Sequence, residues 1–393
     1  VRTSLRDKNI LHGVTGSVAA YKAIDLIRRL KDIGASVTSV MTDASKNFLT
    51  PLSLELATGN KVYTGLFDDP MAHISLTSKA DLMLIAPATA NLIGKFANGI
   101  ADDLLSTCLL SFKGTVVVAP AMNWRMYENP VLQKNLGYLK SQGVIEVPPE
   151  KGRLACGEEG VGRMADTEKI IEALRAAVTA KDLSGKKIIV TAGPTREPID
   201  AVRFISNRST GKMGYALARV ARRRGADVTL ISGPSCLNPP PDVKFISVNT
   251  AVEMKNAVME ELKGAAALIM ASAVSDFSPK NKSRTKIDKA SLKSLQLESA
   301  PDILAEIGSM KNRPFLIGFA AEAGKNVERA RKKLLKKGAD IIVFNDISMP
   351  DSGFGTDTNK VVIIEKDNMK ELPLLTKEEV SEFILDKISA RRA

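Results

Sequence analysis

Short apolar runs and helical apolar repeats alternate along this chain. Runs rich in Val, Ile and Leu lie at about 8–14, 36–41, 81–86 and 115–119, and again near 186–191, 227–231, 266–271, 315–319, 340–344 and 361–365. They are too short for helices and too continuously apolar for half-exposed strands, so they read as strands buried on both faces. Between them, apolar positions recur at helical spacing, first over Val18 to Leu30. This is α/β patterning: two Rossmann-like three-layer domains with mostly parallel sheets. A helix predicted over about 166–180 ends at the polar stretch Lys181-Asp182-Leu183-Ser184-Gly185, after which the strand pattern restarts. The domains are therefore expected at 1–180 and 186–393.

Each half opens with a strand, a glycine turn and a helix. The first turn is His12-Gly13-Val14-Thr15-Gly16-Ser17; the second is Thr191-Ala192-Gly193-Pro194-Thr195, with its helix delayed to Gly211-Lys212-Met213-Gly214. Glycine lets backbone N–H groups approach an anion at a helix start, although ordinary βα packing uses the same residues. The segments 15–38 and 210–229 share a tyrosine, paired arginines and a Gly-Ala turn, as if one βαβ unit were used twice. Two connections, Pro148 to Ala165 and Pro279 to Ala300, are long enough to be lids or disordered segments.

Composition narrows the class. The 393 residues are 44% hydrophobic, enough for two or three cores. Three dispersed cysteines (Cys108, Cys156, Cys236) with no CxxC indicate neither a disulfide framework nor a zinc cluster, which points to a reducing, cytoplasmic setting. No apolar run reaches membrane-spanning length and no signal-peptide core is seen, so no membrane association is expected. The net charge of +12 is uneven: 21 Lys and Arg face 19 Asp and Glu up to residue 184, against 35 and 25 beyond it. The basic second half suits small polyanions or a solvated lysine face. Nucleic acid is not expected, because aromatics are only 5% and never interleave with Arg and Lys.

Four loops of the first half carry chemistry: Met71-Ala72-His73-Ile74, Ala86-Pro87-Ala88-Thr89-Ala90-Asn91, Pro120-Ala121-Met122-Asn123-Trp124-Arg125-Met126-Tyr127, and Leu154-Ala155-Cys156 through Gly162-Arg163-Met164. Taken singly, His73 reads as a satisfied helix-end histidine, Asn123 as a cap and Cys156 as loop filler. Together, the PAMNxxMY and ACGxxGxGRM strings resemble the flavin-dependent cysteine decarboxylases, specifically those acting on phosphopantothenoylcysteine, over residues 8–180. The resemblance implies FMN held between subunits of a trimer, with Asn123 gripping the substrate carboxylate and His73 in the active site. It further implies flavin contacts at Gly16, Ser17, Thr42, Ala88, Ser106 and Thr107. Cys156 is suited to give a proton when the oxidised product is reduced. Loss of CO₂ from a C-terminal cysteine leaves a carbanion, so an electron sink is needed.

In the second half, Thr191 through Asp200 runs into Arg203-Phe204-Ile205-Ser206-Asn207-Arg208-Ser209-Thr210-Gly211-Lys212-Met213-Gly214. The GxxxxGK[ST] order of a P-loop is absent, as is the acidic residue of a dinucleotide fingerprint. A dehydrogenase is the runner-up. These strings resemble the phosphopantothenate-cysteine ligases over about 186–390. That implies a nucleoside triphosphate, CTP or ATP, activating the carboxylate of 4'-phosphopantothenate as an acyl-nucleotide, which cysteine then displaces. By the same resemblance Asn207 supports conversion of that intermediate. The nucleotide pocket would be Asp276, Lys286, Pro301, Asp302, Ile303, Leu304, Phe319, Lys333 and Lys337. Lys333 and Lys337, four apart on one helix, can face one anion, though a solvated basic helix has the same spacing. Mg²⁺ is expected on the phosphates, with ligands unknown. Many relatives have Lys-Ile-Lys-Lys where this chain has Lys286-Ile287-Asp288-Lys289. Together the resemblances imply a bifunctional enzyme and a homo-oligomer combining trimeric first domains with dimeric second domains in a dodecamer. A flavin-binding regulatory protein and a pyridine-nucleotide oxidoreductase are the competing readings.

Overall fold

The computed structural model describes residues 5–154, 157–289, 294–322, 324, 327–346, 348 and 353–391. The chain divides into two compact units, one running to Thr179 and the other from Ala180 onward.

In the first unit, β1 (Asn9–Val14), β2 (Ser36–Met41), β3 (Leu82–Ala88), β4 (Thr115–Pro120) and β5 (Ile145–Glu146) form one sheet in the order β2-β1-β3-β4-β5. All pairings are parallel. Alternate side chains of β1 supply opposite faces: Ile10 and Val14 join one buried cluster, Leu11 the other. That is why the strands read as unbroken apolar runs. The helix Ala23–Asp32 buries Ala23, Leu26, Ile27 and Leu30, an i, i+3, i+4, i+7 stripe. Each fully buried Leu or Ile there contributes about 1.5–3 kcal/mol. The helical run predicted from Val18 starts as a 3-10 segment, Val18–Lys22, with Ser17 accepting from the Ala19 N–H.

His12 lies wholly buried in β1, its Nε2 2.9 Å from the Ala86 carbonyl oxygen. Burial lowers its pKa from the ordinary 6.5 to about 4, partly opposed by that hydrogen bond. The fold therefore holds it neutral, and its contribution is present above pH 6.5 and lost as pH falls from 6.5 toward 4. At the lower end this amounts to about 3 kcal/mol. In hydrogen exchange of the β1 amides, the wild-type chain is expected to lose about 2–3 kcal/mol more than a His12→Leu variant between pH 7 and 4.5. Parallel pH profiles would contradict this account of His12.

The second unit holds an eight-stranded sheet in the spatial order Lys244–Ser247, Asp227–Ser232, Lys187–Ala192, Ala265–Met270, Phe315–Glu322, Ile341–Asp346, Val361–Ile364 and Met369–Glu371. The first six are mutually parallel; Val361–Ile364 runs antiparallel to them, and Met369–Glu371 pairs antiparallel with it in turn. Two buried clusters again cover its two faces. The predicted α/β class, with two three-layer domains and mostly parallel sheets, is what the structure shows. In both units the first helix leads to a strand lying beside the first, so the βαβ unit does recur.

The described parts of both long connections include strand pairs. Within Pro148 to Ala165, Glu150–Arg153 pairs antiparallel with Glu159–Arg163. The other is closed at its base by Phe277–Pro279 pairing with Leu297–Ser299. Where the second unit begins, Leu183 is buried and Asp182 pairs with Arg224, which is fully buried and also meets Glu382 and Asp386. A buried arginine needs such partners, since an unpaired charge there would cost several kcal/mol.

Candidate active sites

The first site is a cavity of about 1210 Å³ at the carboxyl ends of β1 to β4. Parallel sheets leave their ligand crevice there. Thr15, buried at the end of β1, stitches two of these ends together: its Oγ1 donates to the Pro87 carbonyl (2.7 Å) and accepts from the Thr89 N–H (3.0 Å). Ser17 Oγ donates to the Ala121 carbonyl at 3.2 Å. Gly16 admits no side chain, because an added Cβ would lie 2.5 Å from the Ala44 Cβ. Gly16, Ser17, Thr42 and Asn123 all line the cavity. Thr42 Oγ1 is buried without a hydrogen-bond partner. A cavity of this size, a glycine-tight turn and an orphaned hydroxyl at its wall fit a bound flavin mononucleotide.

Asn123 caps the helical turn Trp124–Tyr127, its Oδ1 accepting from the Arg125 N–H at 2.9 Å. The hairpin carrying the Arg163-Met164 end of the motif is seated against the same segment. A Cβ on Gly162 would come within 2.1 Å of the Met122 carbonyl, and one on Gly160 within 2.6 Å of Trp124. Glu158 accepts from Trp124 Nε1 (2.8 Å) and Arg125 Nη2 (2.7 Å). Two distant motifs thus converge because glycines allow backbone contact and one carboxylate clamps the join.

Other expected residues sit elsewhere. Ala88 is buried in β3, one residue before the cavity-lining Thr89. Ser106 and Thr107 lie on helix Leu104–Ser111, bonded to Asp103 rather than lining the cavity themselves. His73, on helix Ala72–Lys79, does not line its own chain's cavity; its Nδ1 is buried with no partner. Cys156 lies outside the described residues. Sequence reasoning missed Lys95, whose Nζ meets Asp102 at 2.6 Å and Asp103 at 3.1 Å on the cavity wall. Asp102 and Asp103 hold this ammonium above the usual lysine range. Asp103 followed three residues on by Ser106 was the one available signal, a helix-start signature.

The second site is a cavity of about 880 Å³. Gly193 (φ +70°) and Gly211 (φ +84°) adopt left-handed backbone, and a Cβ on Gly211 would lie 3.2 Å from the Gly193 nitrogen. Other residues would be strained in this turn. Asn207 is oriented by its Nδ2, which donates to the carbonyls of Ala273 (3.1 Å) and Val274 (3.2 Å) in the segment that follows the strand Ala265–Met270. Asp302 caps the helix Ile303–Gly308 through the Ala305 N–H (3.1 Å) and pairs with Lys337. Lys333 Nζ donates to the Phe319 carbonyl at 3.0 Å. Burial first, then Lys337, lowers the Lys333 pKa.

Asn207, Asp276, Pro301, Asp302, Ile303, Leu304, Phe319, Lys333 and Lys337 all line this one cavity. The two lysines face it together, as their spacing requires. Lys286 is exposed and does not line it. Its neighbour Ile287 is fixed: the Ile287 N–H donates to Asp200 Oδ2 (3.2 Å) and its carbonyl accepts from Arg203 Nη2 (2.6 Å). Arg203 holds the buried Asp200 carboxyl far below the usual range. Lys212, Asn359 and Lys377 also line the cavity and were not anticipated. Among the described residues no group of three or more His, Cys, Asp or Glu side chains could hold a metal, and no helix is long and apolar enough to cross a membrane.

A family profile described as Flavoprotein matches residues 1–179, and one described as DNA/pantothenate metabolism flavoprotein C-terminal domain matches 183–391. The coenzyme A biosynthesis bifunctional protein CoaBC of Bacillus subtilis is 43% identical, with 98% of each chain covered. Its Escherichia coli counterpart is 44% identical over 99% of this chain and 98% of its own. A crystal structure of the C-terminal domain of a CoaBC protein is 44% identical, covers 53% of this chain and 97% of its own, and superposes with a TM-score of 0.47. The FMN binding protein AtHal3 is 35% identical over 43% of this chain and 96% of its own, with a TM-score of 0.39. At this identity over nearly the full length, the chain belongs to the family of bifunctional coenzyme A biosynthesis proteins, CoaBC.

Proposed function

We propose that this chain performs two consecutive steps of coenzyme A assembly. Its second unit joins cysteine to 4'-phosphopantothenate, and its first unit decarboxylates the resulting 4'-phosphopantothenoylcysteine to 4'-phosphopantetheine. The observation that carries the reading is the assembly of two separate cavities, each from motif residues scattered along its own half.

A carboxylate is a poor electrophile, so ligation needs activation. The phosphopantothenate carboxylate attacks the α-phosphorus of CTP or ATP, giving an acyl-nucleotide and releasing pyrophosphate. The cysteine amine then attacks the acyl carbon, forms the amide and expels the nucleoside monophosphate. Lys333 and Lys337 oppose phosphate charge at the cavity wall, and the Asp302 turn seats the nucleotide. Mg²⁺ would enter with the triphosphate and offset its charge, since among the described residues no cluster of His, Cys, Asp or Glu is placed to hold it. Asn207, with Nδ2 directed to two carbonyls, offers Oδ1 as the acceptor that aligns the attacking amine.

For decarboxylation, bound FMN supplies a two-electron acceptor that makes CO₂ loss feasible and then returns the electrons. Gly16 and Ser17 would hold its phosphate end, and Thr42 Oγ1 would gain a partner. Asn123 orients the substrate carboxylate, and Cys156 donates the proton of the closing reduction. By the family resemblance three first units would form a trimer with the site between subunits, where a neighbour's His73 would complete a cavity that its own chain's His73 does not line. Exposed Phe67, Met71 and Ile74 around His73 offer apolar surface for such contacts. Dimeric second units would then complete a dodecamer.

The test gives the purified chain phosphopantothenate, cysteine and each nucleotide separately, recording flavin absorbance and pyrophosphate. A yellow protein whose pyrophosphate release requires phosphopantothenate is expected. A colourless protein lacking that release would refute the reading, and colour without turnover would favour a binding protein.

A further inference from the structure

Lys377 is the first residue of helix Lys377–Ser389, which Thr376 and Glu379 cap reciprocally. A cation at that end opposes the helix dipole. The side chain is only 5% exposed, and burial, aided by the like charge of Lys212, lowers its pKa from the ordinary 10.5 to about 8. Such a placement costs stability unless the ammonium is fully bonded.

It is bonded to one loop. Nζ donates to the carbonyls of Gly353 (3.1 Å), Thr356 and Thr358 (3.2 Å), and the Lys377 N–H donates to the Asp357 carbonyl at 3.0 Å. The loop is also held from helix Lys212–Arg223 and the residues before it. Thr210 Oγ1 donates to the Phe354 carbonyl (2.6 Å), while Lys212 Nζ donates to the Gly355 carbonyl (2.9 Å) and pairs with Asp357 (2.7 Å). Gly353, Phe354 and Lys377 line the ligase cavity together with Asn207 and Lys212. Elsewhere on the cavity wall, Lys333 is bonded to the Phe319 carbonyl and Lys337 to Asp302.

We propose that Lys377 is a positioning residue for ligation: by gathering the carbonyls of residues 353, 356 and 358, it holds their loop as the wall against which 4'-phosphopantothenate is bound. This rests on the ligase reading above. The lysine acts through the loop, so removing it should loosen the grip on the acyl substrate and leave nucleotide binding intact.

The experiment uses the full chain with Lys377→Met, Lys377→Gln and Lys377→Arg. Steady-state pyrophosphate release should show the KM for 4'-phosphopantothenate rising about tenfold in Lys377→Met, with the KM for CTP unchanged. Lys377→Arg, which keeps charge and donors, should recover most of the loss. Both KM values rising together, or neither rising, would overturn the proposal. Independently of turnover, Lys377→Gln should speed hydrogen exchange of amides 353–359 about tenfold without ligand; unchanged exchange would overturn it as well. A wild-type chain releasing no pyrophosphate would refute the ligase reading itself, and the exchange result would still decide whether Lys377 holds the loop.

Discussion

Replacing Asn123 with aspartate is expected to lower decarboxylation of 4'-phosphopantothenoylcysteine by about a thousandfold while the first unit stays folded. The two residues differ little in shape, and the cap survives the change: Asn123 Oδ1 accepts from the Arg125 N–H at 2.9 Å, which a carboxylate oxygen does equally well. What changes is the face offered to the substrate. An amide that can donate becomes an anion opposite an anion. Two unit charges about 4 Å apart at an effective dielectric near 20 repel by about 4 kcal/mol, and that penalty falls on the bound substrate. Rapid-mixing measurement of CO₂ release, beside flavin content and melting temperature, separates the cases. Normal turnover by the aspartate variant would remove Asn123 from carboxylate recognition.

The second large effect is expected at Asn207. In Asn207→Ala, amide formation should fall by about 10²–10³, as when one oriented catalytic hydrogen-bonding group is lost. Pyrophosphate release in a single turnover should persist. The division follows from the geometry: Nδ2 is committed to the carbonyls of Ala273 and Val274, leaving an acceptor oxygen suited to an amine and unsuited to a phosphate. Loss of the side chain thus strands the acyl-nucleotide without preventing its formation. Mass spectrometry of a quenched reaction lacking cysteine turnover would show that intermediate. Equal loss of both half-reactions would contradict the assignment.

Much of this was readable from sequence because of where the residues sit. Ile188, Ile189 and Val190, or Leu82 through Ile85, are buried on both sheet faces, so their composition alone announces a central strand. The edges were less visible. Lys244–Ser247 is mostly exposed and carries no such run, and nothing in Val361–Ile364 reveals its antiparallel direction. Asn123 and Asn207 stood out because they lie in dense motifs at strand ends. Lys95 with Asp102, and Lys377 with the loop at 353–358, did not. Charged residues scattered across such distances in sequence look like solvated surface, and only the tertiary fold shows that they face a cavity. His73 marks a different limit: its motif was legible, but its own chain's cavity does not include it.

The claim that one chain runs both reactions in series is tested most directly with cysteine labelled at its carboxyl carbon. Given phosphopantothenate, CTP and this cysteine, the purified protein should release labelled CO₂ in step with pyrophosphate, and none when either phosphopantothenate or nucleotide is withheld. Labelled CO₂ appearing without nucleotide, or pyrophosphate accumulating with no labelled CO₂, would contradict it.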